Sequence, residues 1–180
     1  VLEVARTYRF KKGSGMPSSS PGIDMVEIGA GGGSLAHVDA MRQIRVGPES
    51  AGSEPGRACY GRGGDSPGVT DGDLVLGKLD PDNFAGGSIK LHPDASKSAL
   101  SNVVGNTLDM DAVEAAFGVA EVVDENMANA ARVHAVENGE DLSEYTMIAF
   151  GGAAPLHAGR LCEKLGVDRL LVPPGAGVGS

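Results

Sequence analysis

Cysteine, positive charge and long apolar runs are what this chain has least of, and each shortage excludes something. Cys59 and Cys162 are the two cysteines, far apart and outside any CxxC or Cys/His spacing. That rules out a zinc ribbon or a disulfide framework. They read as reduced packing thiols of a cytoplasmic protein. Lysine and arginine number 15 against 24 acidic residues, a formal net charge of -9. Such a balance argues against nucleic acid or an anionic membrane surface as partner. An anionic cofactor stays compatible with it, because backbone amides and a metal ion can supply positive field locally. No apolar run approaches the roughly 20 residues of a membrane span, and no membrane partner is expected. The chain opens on Val1-Leu2-Glu3-Val4 without an initiator Met or a charged leader, and it stops within Pro173–Ser180. It therefore reads as an internal fragment of a longer polypeptide.

Glycine is abundant. The 28 glycines in 180 residues are far above the roughly 7% norm, and they cluster at the ends of apolar segments, where they read as structured turns. The densest run, Gly29-Ala30-Gly31-Gly32-Gly33-Ser34, follows a strand-like Ile23-Asp24-Met25-Val26. Such a run packs nothing and costs backbone entropy. Its bare N–H groups can form a concave nest for an anion, phosphate above all; a floppy hairpin loop is the plain alternative. No Lys follows the last glycine, so this is not a P-loop. Leu35-Ala36-His37-Val38-Asp39 alternates as a strand does, so no helix opens at the loop as a dinucleotide fingerprint requires. The expectation is strand, glycine loop, strand, with the anion site in the turn.

Residues 1–12 read as a strand with a basic tip, Arg9-Phe10-Lys11-Lys12, and 13–22 as a loop. Ile44-Arg45-Val46 is a further strand, leading into an irregular stretch over 47–68 that is either folded over a site or a mobile surface loop. Thr70-Asp71 marks the start of a short helix ended by Gly77, and Gly86-Gly87 marks a turn. A helix over about 94–104 places Leu100, Val103 and Val104 on one face. A long helix beginning near Asp109 carries Val113, Ala116, Phe117, Ala120, Val123, Met127, Ala130 and His134 as an i, i+3/i+4 stripe, and Asn138-Gly139 stops it. His134 extends that stripe as a structural histidine. Asp124, Glu125, Glu137 and Glu140 read as a solvated face.

The last unit is a second glycine turn. A strand, Thr146 to Phe150, leads through Gly151-Gly152-Ala153-Ala154 into a helix with Pro155 at its first position. The helix runs Leu156 to Leu165 with Leu161, Cys162 and Leu165 inward, Gly166 caps it, and Arg169 to Val172 is the next strand. In this βαβ unit the helix N-terminus favours anions or polar ligand atoms. Two glycine sites bridged by long helices fit a two-lobed nucleotide clamp, one loop on the phosphates and the other under base and ribose.

The runs DMVEIGAGGGS over 24–34, GPESAG over 47–52, ACYGRGG over 58–64, VTD over 69–71, NMAN over 126–129 and FGGA over 150–153, with Pro155 and His157, resemble the hydantoinase A/5-oxoprolinase family through nearly the whole chain. The resemblance implies a partial α/β fold of the actin-like, sugar-kinase-like ATPase type. Residues 1–90 would be its hairpin and loop region, and 91–180 its helical and βαβ region. It implies ATP-driven hydrolysis of a cyclic amide such as a hydantoin or 5-oxoproline, by phosphoryl activation of the carbonyl. It also implies a B-type partner subunit or domain. Relatives carboxylate ketones, and a non-catalytic nucleotide-binding or scaffold module is the rival from another class.

On the same resemblance, Gly29, Gly31, Gly32, Gly33 and Ser34 would hold phosphate, while Gly151, Gly152 and Ala153 would lie under the adenosine. Glu27, Asp24 and Asp71 would be the catalytic acids, with Glu27 and Asp24 nearest an Mg²⁺ or Mn²⁺ ion. For Asp71 a plain helix-capping role competes, and for Asp24 an outward-facing one. Cys59 is a further candidate, as a nucleophile without a visible paired His. His157, in the first turn of the last helix, would reach a ligand or face solvent. Three departures stand out. Ala replaces a common Gly in the Ala153-Ala154 pair, which would tighten or impair the adenosine turn. Arg57 stands where the family tends to have Pro. The family's first phosphate loop, an Asp-Gly-Gly-Thr type of segment, is absent, so half of the ATP site is expected to be missing.

Overall fold

The computed structural model describes residues 8–9, 17–18 and 27–178. The strand expected over 23–26, with Asp24, lies outside them. Of the strand expected over 1–12, β1 (Tyr8–Arg9) is described, and it pairs antiparallel with β2 (Pro17–Ser18), inside the stretch expected to be loop.

The glycine loop feeds β3 (Ser34–Val38), which pairs antiparallel with β4 (Ile44–Ser50). Their tight turn is built by Asp39, whose carboxylate accepts the Met41 and Gln43 N–H groups at 2.9 Å each, a local turn motif of aspartate. Ala36 and Val46, opposite each other in the ladder, turn the same face of this ribbon inward.

That face packs on helices. α1 (Val69–Val75) begins where the glycine-rich stretch ends. α2 (Pro93–Leu100) continues through a π turn, Ser101–Gly105, into the short α3 (Asn106–Leu108). Asp109, in the left-handed region at φ 61°, breaks that run, and α4 (Ala112–Asn138) starts afresh behind a capping box. Asp111 accepts the Val113 and Glu114 N–H groups at 2.8 and 2.9 Å, and the Glu114 carboxylate reaches back to the Asp111 N–H at 2.9 Å, satisfying donors that a helix N-terminus leaves open. Leu100 and Val104 join Val69, Ala115, Ala116, Val119 and Val123 in one core. α1 crosses α4 closely, since a Cβ on Gly72 would lie 3.4 Å from the Ala116 carbonyl oxygen.

The inward face of α4 differs from the expected stripe. Val113 and Phe117 are 52% and 58% exposed, whereas Ala115, Ala116, Val119, Ala120, Val123, Asp124, Ala128 and Ala135 are buried. α4 is apolar on more than one side, so periodicity alone leaves its rotation open. The small side chains at 115 and 116 settle it by allowing close approach to α1. Among the described residues no helix is long and apolar enough to cross a membrane.

The C-terminal unit is a βαβ as expected. β5 (Thr146–Ile148) and β6 (Arg169–Leu171) are parallel, joined by α5 (Ala154–Leu165) with Gly166 as its left-handed cap. Pro155 occupies the second helical position rather than the first, where its missing N–H is still one that the helix cannot use.

Candidate functional site

The two glycine turns come together. A Cβ on Gly32 would sit 3.6 Å from the Cβ of Ala153, so the loop at 29–33 and the turn at 151–153 form adjoining walls. Gly29 takes φ +59° and Gly151 φ +99°, conformations that favour glycine. The first loop is pinned from three sides. Ser34 is buried and closes the loop on itself, its Oγ accepting the Gly31 N–H at 3.0 Å and donating to the Gly29 carbonyl at 3.2 Å. From the first turn of α1, Thr70 donates both its N–H and its Oγ1–H to the Gly32 carbonyl, at 3.2 and 2.9 Å. The Ala51 N–H takes the Gly33 carbonyl at 3.0 Å. With those carbonyls engaged, the N–H groups of Gly32 and Gly33 hold no hydrogen bond among the described residues. A rigid loop with unused amides is what an anion nest requires.

In the second turn, the Gly151 N–H donates to the Ala176 carbonyl at 2.7 Å, and space is open where a Cβ would stand on Gly151 or Gly152. Ala154 is simply the first residue of α5 and does not take a positive φ. Its methyl therefore introduces no left-handed backbone strain.

Behind the two turns lies a buried charge cluster that spacing did not reveal. His157 is 1% exposed, with Nδ1 2.7 Å from Asp124 Oδ1 and Nε2 3.2 Å from Asp73 Oδ2. The second of these is an ion-pair contact without hydrogen-bond alignment. Lys78 Nζ approaches the other oxygen of Asp73 at 3.1 Å. Burial by itself pulls the imidazole pKa down, but the carboxylates of Asp124 and then Asp73 outweigh it and hold His157 at about 9. The ring is thus an imidazolium between two carboxylates near neutral pH. His157 does not face solvent, and Asp124 is not on a solvated face. One signal was available. Asp124 lies four residues from Ala120 and from Ala128, both buried, so an acid stood in line with the packed side of α4.

Asp71 lies in the interior. Its carboxylate accepts the Gly68 N–H at 2.8 Å, the Cys59 N–H at 2.7 Å and the Ser96 hydroxyl at 2.7 Å. It therefore caps α1 and ties the 58–60 turn and α2 to it. Removing it strands three donors. Asp71→Ala is expected to lower stability by about 3 kcal/mol or more, read as a shift of the urea midpoint. Cys59 is fully buried, and burial, followed by the charge of Asp71, pushes its thiol up to about 12. A thiol so far from ionising is a packing group, not a nucleophile. Cys162 is likewise buried, its sulfur 3.6 Å from that of Met147. His134 is half-buried rather than in the core, with Nε2 3.3 Å from the Asn138 amide nitrogen. Glu27 is exposed at the head of the glycine loop. The stretch over 47–68 is folded, with Gly56, Ala58, Cys59, Pro67 and Gly68 buried.

The family described as Hydantoinase/oxoprolinase matches residues 2–180. The caprolactamase subunit alpha of Pseudomonas jessenii is 38% identical over 176 residues, 96% of this chain and 25% of the relative. The crystal structure of the ATP-dependent caprolactamase from that organism matches with a TM-score of 0.81 at 39% identity, over 89% of this chain and 23% of the other. The acetophenone carboxylase gamma subunit of Aromatoleum aromaticum is 39% identical over 157 residues, 87% of this chain and 21% of the relative. A nucleotide-free structure of acetone carboxylase, described for ATP-dependent acetone carboxylation, gives a TM-score of 0.80 at 32% identity over 89% of this chain and 23% of that one. The chain thus spans about a quarter of the length of such relatives, as a mixed α/β part of a domain.

Proposed function

This chain belongs to the hydantoinase/oxoprolinase family, and from that premise we propose that it supplies one half of an ATP site that activates a carbonyl group, within an actin-like, sugar-kinase-like ATPase fold. The observation that carries this reading is the meeting of the two glycine turns, with Gly32 beside Ala153. The 29–34 loop offers amides to the phosphates, and the 151–153 turn at the head of α5 offers a glycine-bare surface to the adenosine.

The substrate proposed is a cyclic amide. Resonance makes a lactam carbon a poor electrophile. Transfer of the terminal phosphoryl group of ATP to the amide oxygen releases ADP and leaves a carbon that water can attack. Once water has added, the ring C–N bond breaks with a proton passing to the leaving amine, and a second water cleaves the resulting acyl phosphate to the carboxylate and inorganic phosphate. Such a transfer asks the protein for positioning and charge neutralisation rather than covalent chemistry. A buried thiol and a buried histidine held between two carboxylates are consistent with that division of labour. Among the described residues no three His, Cys, Asp or Glu side chains converge as a metal cage. Mg²⁺ or Mn²⁺ would be held by phosphate oxygens, water and one or two carboxylates. Glu27 and Asp24 would be those carboxylates, and the ion would neutralise phosphate charge. The relatives named as subunits support a partner subunit, proposed here to be of the B type.

A second reading, ATP-driven carboxylation of a ketone, is favoured by the similarity to the acetophenone and acetone carboxylases. The test is ADP release by the full-length protein with its partner subunit, in buffer and with hydantoin, 5-oxoproline, caprolactam, or acetone plus bicarbonate. Several-fold stimulation by one lactam is expected. Stimulation by acetone plus bicarbonate alone would replace the lactam reading with the carboxylase one. ATP binding with turnover indifferent to every substrate would point to a nucleotide switch or scaffold.

A further inference from the structure

We propose that Arg57 is a phosphate-binding residue of the glycine loop, placing a guanidinium beside the Gly32 and Gly33 amides to grip the terminal phosphates of a nucleoside triphosphate. The proposal deepens the nucleotide reading above and rests on it for the identity of the ligand.

Arg57 immediately precedes the helical turn Ala58–Tyr60. Its side chain runs along the outside of the glycine loop through space that glycines leave. Nη2 lies 3.0 Å from where a Cβ on Gly33 would stand and 3.8 Å from one on Gly32, and Cγ lies 3.6 Å from one on Gly68. Tyr60 holds the group in place, its hydroxyl accepting from Nη1 and its ring lying 5.1 Å from Cζ. The guanidinium is therefore pre-positioned, and a bulkier residue at 33 would meet it.

What it lacks is an acceptor of opposite charge. Arg45, Arg132 and Arg160 each pair with a carboxylate, at 2.8 Å in every case. Arg57 forms no salt bridge among the described residues, although the chain carries a net charge of -9. Its Nε is buried and has no hydrogen-bond partner. A buried N–H of a cation without an acceptor is unfavourable, and Nη2 of the same guanidinium flanks Gly32 and Gly33, whose backbone N–H groups are also unused. One ligand with several anionic oxygens would engage Nη2 and the two amides together and bring a compensating negative charge to the cation. Phosphate fits the fork of a guanidinium, which can bond two oxygens at once, and its remaining oxygens fit the amide nest.

The test is calorimetric titration of the full-length protein, with its partner subunit, against inorganic tripolyphosphate, ATP and adenosine. Wild type is compared with Arg57→Gln and Arg57→Lys. Expected is a 10- to 100-fold loss of tripolyphosphate and ATP affinity in Arg57→Gln, partial recovery in Arg57→Lys, and unchanged adenosine binding. Wild-type tripolyphosphate affinity in a folded Arg57→Gln protein overturns the proposal. So does a loss that extends equally to adenosine, because it would mark a merely structural role. A wild-type protein that binds tripolyphosphate through Arg57 but ATP no more tightly would keep the proposal and sink the nucleotide reading. ATP binding that ignores Arg57→Gln would do the reverse. If Arg57→Gln does not fold, an arginine-specific dicarbonyl reagent is applied to wild type with peptide mapping. Protection of Arg57 by tripolyphosphate supports the assignment, and equal modification with and without it overturns it.

Discussion

Gly32→Val is expected to abolish tight ATP binding while leaving the protein folded. The first added carbon would stand 3.0 Å from Thr70 Oγ1 and 3.6 Å from the Ala153 methyl. Two further methyl groups would then fill the seam between the glycine loop and the second turn, where the nucleotide is proposed to lie. The backbone at Gly32 does not take a positive φ, so the substitution forces no left-handed strain. The cost to the fold is that of a local overpacking, about 1–3 kcal/mol. The cost to binding is larger. Losing two amide-to-phosphate hydrogen bonds, each charge-assisted and worth about 1.5–3 kcal/mol, weakens ATP by a hundredfold or more. Calorimetric titration with ATP, beside a thermal melt of the same preparation, checks both halves. A Gly32→Val protein that binds ATP as wild type does would remove the phosphates from this loop.

The largest effect on stability is expected at His157, where substitution by Ala should cost about 3–5 kcal/mol. The imidazolium holds Asp124 at 2.7 Å and Asp73 at 3.2 Å in a site that is almost fully dry. Asp73 keeps Lys78 at 3.1 Å after the substitution, so Asp124 is the acid left stranded. Removing one partner of a buried pair is strongly destabilising because the survivor keeps its desolvation penalty. Against a total stability of about 5–15 kcal/mol, such a loss would be visible as a large drop in Tm. Asp124→Asn tests the same contact from the other side, with a smaller expected loss because the amide can still accept from Nδ1.

The same cluster gives a pH dependence of defined sign. The ordinary histidine pKa is 6.5 and the folded one about 9. Below 6.5 both folded and unfolded chains carry the proton, and the stabilisation is complete. Between 6.5 and 9 the native protein keeps a proton that the unfolded chain has lost, so stability falls as pH rises, by about 3 kcal/mol in all. Urea midpoints measured from pH 6 to 10 should show that decline in wild type. It should be absent in His157→Gln.

Much of the fold was legible because it is local. Glycines at 139 and 166 stop α4 and α5 through left-handed caps, and Pro155 starts α5 for reasons contained within a few residues. Asp71 likewise caps α1, one of the two roles its position allowed. The face of α4 was not legible, because Val113 and Phe117 satisfy helical spacing as well as Ala116 and Val119 do. Only the fit of Ala115 and Ala116 against α1 and β4 distinguishes them. His157 misled for a similar reason. The first turn of a helix after a glycine turn suggests a ligand-facing position, and its true partners lie on α1 and α4.

The stops of the long helices, the two glycine turns, the parallel βαβ unit and the family were legible along the chain. Each rests on short-range backbone chemistry or on motifs read in order along the chain. Only the tertiary structure decided that Gly32 meets Ala153, that Arg57 lies along the glycine loop without a carboxylate, and that His157 is clamped between Asp73 and Asp124. Those are contacts between side chains and turns far apart in the chain. No local rule fixes them, because they follow from how small residues let α1, α4 and α5 approach one another.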